Sequence, residues 1–187
     1  MSGPSGAGGV LLVPGAGGSR DHCTLVALER ALAPLPVRRL AYPDRGPPRA
    51  ERLVPFIQEQ AASMCAEESV EPGRLVLGGR SMGGRVCSMA VAGGLAAAGL
   101  LLLSYPLHPP RRPDRLRVAH FGQIDVPCLF VGGDRDPFGS PGEFAAHTPA
   151  IGGGATHVWL PGCGHDTRRS HNDAVTAAVI GWLAGLG

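Results

Sequence analysis

Serine, histidine and aspartate together can turn a hydroxyl into a nucleophile, and this chain holds all three in settings that suit it. Gly79, Arg80, Ser81, Met82 and Gly83 make the one full match to G-x-S-x-G. The match follows the apolar segment Leu75 to Leu77 and precedes a helical stretch from Met82, the strand-turn-helix context that exposes such a serine on a sharp turn. Glycines two positions to either side carry no Cβ, so strand and helix can approach while the serine takes a strained backbone conformation. A helix starting at Met82 aims its first N–H groups and the positive end of its dipole at the serine oxygen. The Met82 N–H is therefore one expected donor to a developing oxyanion. A looser match at Gly3 to Ala7 precedes any strand and is set aside.

A nucleophilic serine needs a base, and the base needs an acid to orient it. In a parallel sheet the C-terminal strand ends share one edge, so position sorts the candidates. His165 follows the strand candidate His157 to Leu160, and Asp134 and Asp136 follow Cys128 to Val131. Asp125 precedes its strand and falls on the opposite edge, which leaves Ser81, His165 and either Asp134 or Asp136. His108, His120, His147, His157 and His171 have no such place and read as surface or structural residues.

The glycine loop Gly15 to Gly18 follows the first strand candidate. As a dinucleotide loop it lacks the third glycine of G-x-G-x-x-G, since Arg20 stands there, and no acidic residue is well placed on the next strand. Gly79 to Gly84 has the glycine spacing of a P-loop, but Arg85 and Val86 follow in place of Lys and Ser or Thr. The first loop reads better as the other half of an oxyanion hole, with the N–H of Ala16 or Gly17 joining that of Met82. Cys163, His165, Asp166 and His171 fit no recognised ligand spacing. Neither a metal nor a cofactor is expected.

The elements that must carry these residues alternate along the chain. Val10 to Val13, Val37 to Tyr42, Leu75 to Leu77, Gly99 to Leu103, Cys128 to Val131 and His157 to Leu160 read as strands. Several are apolar on both faces, as strands buried in a parallel sheet are. Helices are expected at Thr24 to Ala33, Arg52 to Glu67 with Pro55 in its first turn, Met82 to Ala92, and Asn172 to Ala184, with a shorter one at Glu143 to His147. Strand and helix in alternation argue a parallel sheet covered on both faces. Residues 1–187 read as a single domain without repeat or linker.

Composition narrows the function classes. With 29 Gly and 18 Pro among 187 residues the chain borders on low complexity, yet 44% of residues are apolar and 17% charged, which a solvated disordered chain would not be. All 17 basic residues are Arg, which removes Schiff-base and P-loop lysine chemistry. A net charge of +2 without a basic run, together with aromatics at 5%, gives no footprint for nucleic acid. Five cysteines without C-x-x-C spacing suggest neither a disulfide framework nor a zinc site. The apolar runs are too short for a signal peptide core or a membrane span, so a soluble cytoplasmic protein is expected, as monomer or homodimer. Flexibility is expected at Pro109 to Pro113 and Gly152 to Gly154.

Five segments carry a resemblance: LLVPGAGG at 11 to 18, GGRSMGGR at 78 to 85, YPLHPP at 105 to 110, LFVGGDRDPFG at 129 to 139 and PGCGHD at 161 to 166. The chain resembles the α/β-hydrolase superfamily, and most of all its small dienelactone-hydrolase-like branch, which is related to the hydrolase-like domain of a chromatin-complex (NSL) subunit. The resemblance implies a three-layer α/β-hydrolase fold, with a mostly parallel sheet of about six strands because two leading strands of the full sheet are missing. It also implies that the triad acid lies three residues after Gly133, at Asp136, and that Ser104 to Asp125 is too short for a lid domain, which leaves an open, shallow site. Pro14 departs from the histidine often found before the oxyanion glycine. The activity implied is hydrolysis of a small carboxylic ester, thioester or lactone through Ser81, Asp136 and His165. A hydrolase-fold interaction module with weak or no catalysis, and a cofactor-free acyltransferase, are the alternatives. Arg20, Arg80, Arg85 and Arg135 lie in or beside the edge loops, where two facing the pocket would attract an anionic substrate.

Overall fold

The computed structural model describes residues 6–43 and 49–186. Six strands form one sheet: β1 (Gly9–Val13), β2 (Val37–Arg39), β3 (Leu75–Arg80), β4 (Gly99–Leu103), β5 (Cys128–Gly133) and β6 (Ala155–Leu160). Their order is β2-β1-β3-β4-β5-β6, and every pairing is parallel. The helices are α1 (Cys23–Ala31), α2 (Ala50–Glu67), α3 (Met82–Ala92), α4 (Pro141–His147) and α5 (Asn172–Ala184). Among the described residues no helix is long and apolar enough to cross a membrane.

The strand residues alternate between two cores, as the two-residue period of a strand requires. Leu11, Leu77, Leu100, Leu102 and Phe130 pack with the buried faces of α2, α3 and α4, while Val10, Leu12, Val76, Leu101 and Val131 pack with α1 and α5. Burial on both faces explains the continuous apolar runs in the inner strands. Helix α2 shows the matching stripe, with Leu53, Ile57, Ala61 and Met64 buried at three- and four-residue intervals.

Most element boundaries differ from expectation by one to three residues, as where α1 runs from Cys23 to Ala31 rather than Thr24 to Ala33 and β3 and β5 continue to Arg80 and Gly133, and three differences have a clear local cause. Strand β2 ends at Arg39 rather than Tyr42, because Tyr42 turns away and its hydroxyl donates to the Pro14 carbonyl at 2.6 Å. Helix α2 starts at Ala50, two residues early, so Pro55 lies in its second turn and offers no N–H to the carbonyl one turn before it. Helix α4 extends back to Pro141 through a capping box in which the Ser140 hydroxyl and the Glu143 side chain satisfy each other's backbone N–H. Gly152 to Gly154, expected to be flexible, instead form a close-packed turn. A Cβ at Gly153 would run into the backbone of Val126, and the Cys128 N–H donates to the Gly154 carbonyl at 3.0 Å.

Candidate active site

Ser81 stands between β3 and α3 with φ +51° and ψ −117°, a conformation that a residue with a Cβ holds only where its surroundings impose it. The Ser81 N–H donates to the Leu103 carbonyl on the next strand at 2.8 Å, and the Ser81 carbonyl accepts from the Arg85 N–H at 3.2 Å. Both flanking glycines are sterically required. A Cβ at Gly79 would stand 2.6 Å from the Val13 carbonyl oxygen, and one at Gly83 would strike the carbonyls of Val13 and Pro14. The end of β1 therefore presses directly on the turn that raises the serine.

His165 lies on the loop after β6 and Asp136 on the loop after β5. A carboxylate only accepts hydrogen bonds, so His165 Nδ1–H donates to Asp136 Oδ2 at 2.7 Å. That leaves Nε2 to accept from the Ser81 hydroxyl at 2.8 Å. Asp136 is 8% exposed, and its other oxygen accepts from the Phe138 N–H at 2.8 Å. The Phe138 ring stacks on the imidazole, with centroids 4.0 Å apart. Asp134, the other carboxylate that position allowed, is exposed, and Asp136 alone of the two meets His165.

Two ties hold the histidine loop. At Gly133 a Cβ would collide with the backbone of Cys163 and Gly164, and the Arg135 N–H donates to the Cys163 carbonyl at 3.0 Å, so the loops of Asp136 and His165 pack backbone to backbone. On the other side Arg80 donates to the His165 carbonyl at 3.2 Å and to the Asp166 carboxylate at 2.7 Å. Asp166 also faces His22 Nε2 at 3.3 Å.

Gly15 to Gly18 form a turn closed by the Gly18 N–H to the Gly15 carbonyl at 3.0 Å, with Gly17 at φ +66°. This φ suits the third residue of a type II turn. Pro14, in place of a histidine, leaves its carbonyl to the Tyr42 hydroxyl, whose pKa is raised by burial. Ala16, Ser81, Met82, Phe138 and His165 share a cleft of about 460 Å³. Gly17 is exposed and is not part of its wall. The segment from Ser104 to Asp125 contributes Pro106 and Arg117 to that wall and contains a short 3-10 turn but no α-helix or strand.

The remaining histidines make other contacts. His108 Nε2 lies 3.1 Å from Glu143 and His120 Nε2 lies 2.8 Å from the Ser88 hydroxyl, while His157 stacks between Phe130 and Trp159. Among the described residues no group of three or more His, Cys, Asp or Glu side chains could hold a metal ion. Three contributors escaped the sequence reading: the clamp made by Arg80, the stacking of Phe138 and the presence of Arg117. Phe138 had a local signal in its place two residues after Asp136 and Arg80 in its place on the edge loop, whereas Arg117 had none.

A family model described as an alpha/beta hydrolase domain matches residues 7–180. The chain belongs to the alpha/beta hydrolase domain family. Several solved structures share the fold of this alpha/beta hydrolase domain. A candidate hydrolase of the alpha/beta superfamily from Xanthomonas campestris pv. campestris is 21% identical, with a TM-score of 0.71 over 96% of this chain and 98% of that one. Est1E from Butyrivibrio proteoclasticus is 18% identical, with a TM-score of 0.75 over 98% and 89%, and has also been solved with ferulic acid bound. DcsB, in complex with a substrate analogue, reaches a TM-score of 0.79 at 12% identity over 98% and 92%.

Proposed function

We propose that this protein is a serine hydrolase acting on carboxylic esters, thioesters or lactones. Ser81 attacks the acyl carbon while His165 Nε2 takes its proton, and Asp136 holds the imidazole and balances the charge that forms on it. The tetrahedral oxyanion accepts hydrogen bonds from the N–H groups of Met82, at the positive end of α3, and of Ala16, which unlike Gly17 lies on the cleft wall. His165 then returns the proton to the leaving oxygen or sulfur, and an acyl-enzyme remains on Ser81. Water, deprotonated by the same imidazole, releases the acid and restores the serine.

The observation that carries this reading is the unbroken chain of hydrogen bonds from Ser81 through His165 to Asp136, at 2.8 and 2.7 Å. Membership of the alpha/beta hydrolase domain family supports it, and the sequence motifs favour the dienelactone-hydrolase-like branch. A fluorophosphonate probe should form an adduct on Ser81, located by peptide mass spectrometry. It should label Ser81→Ala not at all and His165→Ala far more slowly. Folded protein that gives no adduct at Ser81 would overturn the proposal.

A further inference from the structure

The chain leaves the sheet at Pro14, one residue after Val13 pairs with Gly79. Beyond that point its peptide groups have no ladder partner, and a buried carbonyl needs a donor from elsewhere. Pro14 and Gly15 are both buried. Alongside them the chain after β2 still follows β1, with the Leu40 N–H donating to the Leu12 carbonyl at 2.8 Å. Two residues later Tyr42 reaches over the end of β1. Among the described residues its hydroxyl is the one donor to the Pro14 carbonyl, at 2.6 Å. The Tyr42 side chain packs against the hydrophobic core, so packing aims the hydroxyl. Burial raises its pKa, which keeps the donated proton in place.

The next peptide group joins Gly15 to Ala16. Its carbonyl accepts from the Gly18 N–H at 3.0 Å, and the N–H of a trans peptide points the opposite way, so the Ala16 N–H faces out of the turn. Ala16 lies on the wall of the cleft with Ser81 and Met82, and its N–H donates to no main-chain carbonyl among the described residues. A Cβ at Gly15 would stand 3.5 Å from the Ser81 Cβ, so the loop runs against the serine itself. Two successive peptide planes are thus tied, one by the Gly18 N–H and one by the Tyr42 hydroxyl. The first tie is internal and would let the turn tilt as a unit about Pro14. The second fastens it to the body of the protein. Pro14, with neither an N–H nor a polar side chain, offers the loop only this carbonyl.

We propose that Tyr42 is a positioning residue for the reaction at Ser81: through the Pro14 carbonyl its hydroxyl keeps the Ala16 N–H aimed at the oxyanion. This inference rests on Ser81 being the acylating nucleophile. Tyr42 does not line the cleft and acts through the loop. Acylation and deacylation both pass through a tetrahedral oxyanion on the same donors. A loosened loop therefore slows both steps by a similar factor and leaves KM, which depends on their ratio, nearly unchanged.

The test is Tyr42→Phe, which keeps the ring and removes the hydroxyl. With 4-nitrophenyl butanoate, kcat should fall about tenfold or more, short of the roughly 10²- to 10³-fold loss on deleting an oxyanion donor, while KM stays within about twofold. Trifluoromethyl propyl ketone adds to a nucleophilic serine and forms the matching oxyanion, so its inhibition constant should rise by the factor by which kcat/KM falls. Fluorophosphonate labelling of Ser81 should slow in step, a readout that needs no accepted ester. A role confined to packing would lower the melting temperature and leave the inhibition constant and labelling rate where they were. Should circular dichroism show Tyr42→Phe unfolded, the same measurements apply in a Gly181→Ala background, where the added Cβ meets nothing within 4 Å and stiffens α5. Unchanged kcat and labelling in the folded variant, or a fall in kcat without the matching rise in the inhibition constant, would overturn the role of Tyr42 and leave the hydrolase reading intact. No adduct at Ser81 in the unsubstituted protein would overturn the hydrolase reading and this inference with it.

Discussion

The Arg80 guanidinium donates to the His165 carbonyl and to the Asp166 carboxylate at once. The residue immediately before Ser81 thus fastens the loop that carries His165. Asp166 is largely exposed, with a side chain 72% accessible, and an ion pair to so exposed a partner is worth at most about 1 kcal/mol. Its value lies in position. Arg80→Met should lower kcat by roughly tenfold, equivalent to about 1.4 kcal/mol of transition-state stabilisation. KM and melting temperature should move little, and Asp166→Asn should have a smaller effect. Steady-state kinetics on any accepted ester, with the fluorophosphonate labelling rate as a second readout, measures this.

Asp136 is buried and bonded to His165 Nδ1, whereas Asp134 is exposed on the same loop. An amide at 136 would present the wrong group to the imidazole and favour the wrong tautomer. Asp136→Asn is expected to lower kcat by about 10⁴-fold, the scale of such a substitution in a Ser-His-Asp triad. Asp134→Asn should leave kcat within about twofold, as surface changes usually do. Comparable losses in both variants would remove the assignment of the acid.

Glycines in this chain differ sharply in what they cost to replace. Gly83→Ala would drive a Cβ into the carbonyls of Val13 and Pro14, an overpacking worth about 1–3 kcal/mol or more, and should abolish turnover by displacing Ser81. Gly181 lies inside α5 with nothing within 4 Å of an added Cβ. Gly181→Ala should therefore stabilise the protein by about 0.5–1 kcal/mol. Urea unfolding of the two variants against the unsubstituted protein should give shifts of opposite sign.

Burial, reinforced by the Arg85 guanidinium, pushes the His120 pKa down to about 4. In the unfolded chain it titrates near 6.5. Between those values the unfolded state binds a proton that the folded state refuses, so the stabilisation is fully present above about pH 6.5 and is lost progressively as pH falls toward 4. Urea midpoints measured across this window should fall less steeply in His120→Gln than in the unsubstituted protein. The Ser88 hydroxyl donates to the Arg85 carbonyl at 2.8 Å and so accepts from His120 Nε2–H at 2.8 Å, a bond that ties the segment bearing Arg117 to α3.

What could be read from the sequence was what depends on neighbours along the chain. Strands buried on both faces announce themselves as apolar runs, and the turn at Ser81 requires glycines only two residues away, so the six strands and the strained turn at Ser81 were legible. Choosing between Asp134 and Asp136 was not a matter of position, because both follow β5; the burial of one and the exposure of the other decide it. Gly152 to Gly154 looked like slack because the backbone that crowds Gly153 belongs to Val126, more than twenty residues earlier. Arg117 sits in a segment without periodicity, and its place on the cleft wall follows from the Tyr105 hydroxyl and the Leu107 carbonyl, which hold its main chain at 2.9 and 2.7 Å.

Strand β6 is paired on one side only, and it leads into the loop of His165, while Ser81 stands on inner strand β3. Separation of this outer strand would carry His165 away from Ser81 while the rest of the core stays intact. Of the two tryptophans, Trp159 lies in β6 itself, whereas Trp182 of α5 packs against Gly99 at the start of inner strand β4. The emission of Trp159 therefore reports on the edge that bears His165, and in a Trp182→Phe background it is an optical gauge of whether His165 still faces Ser81.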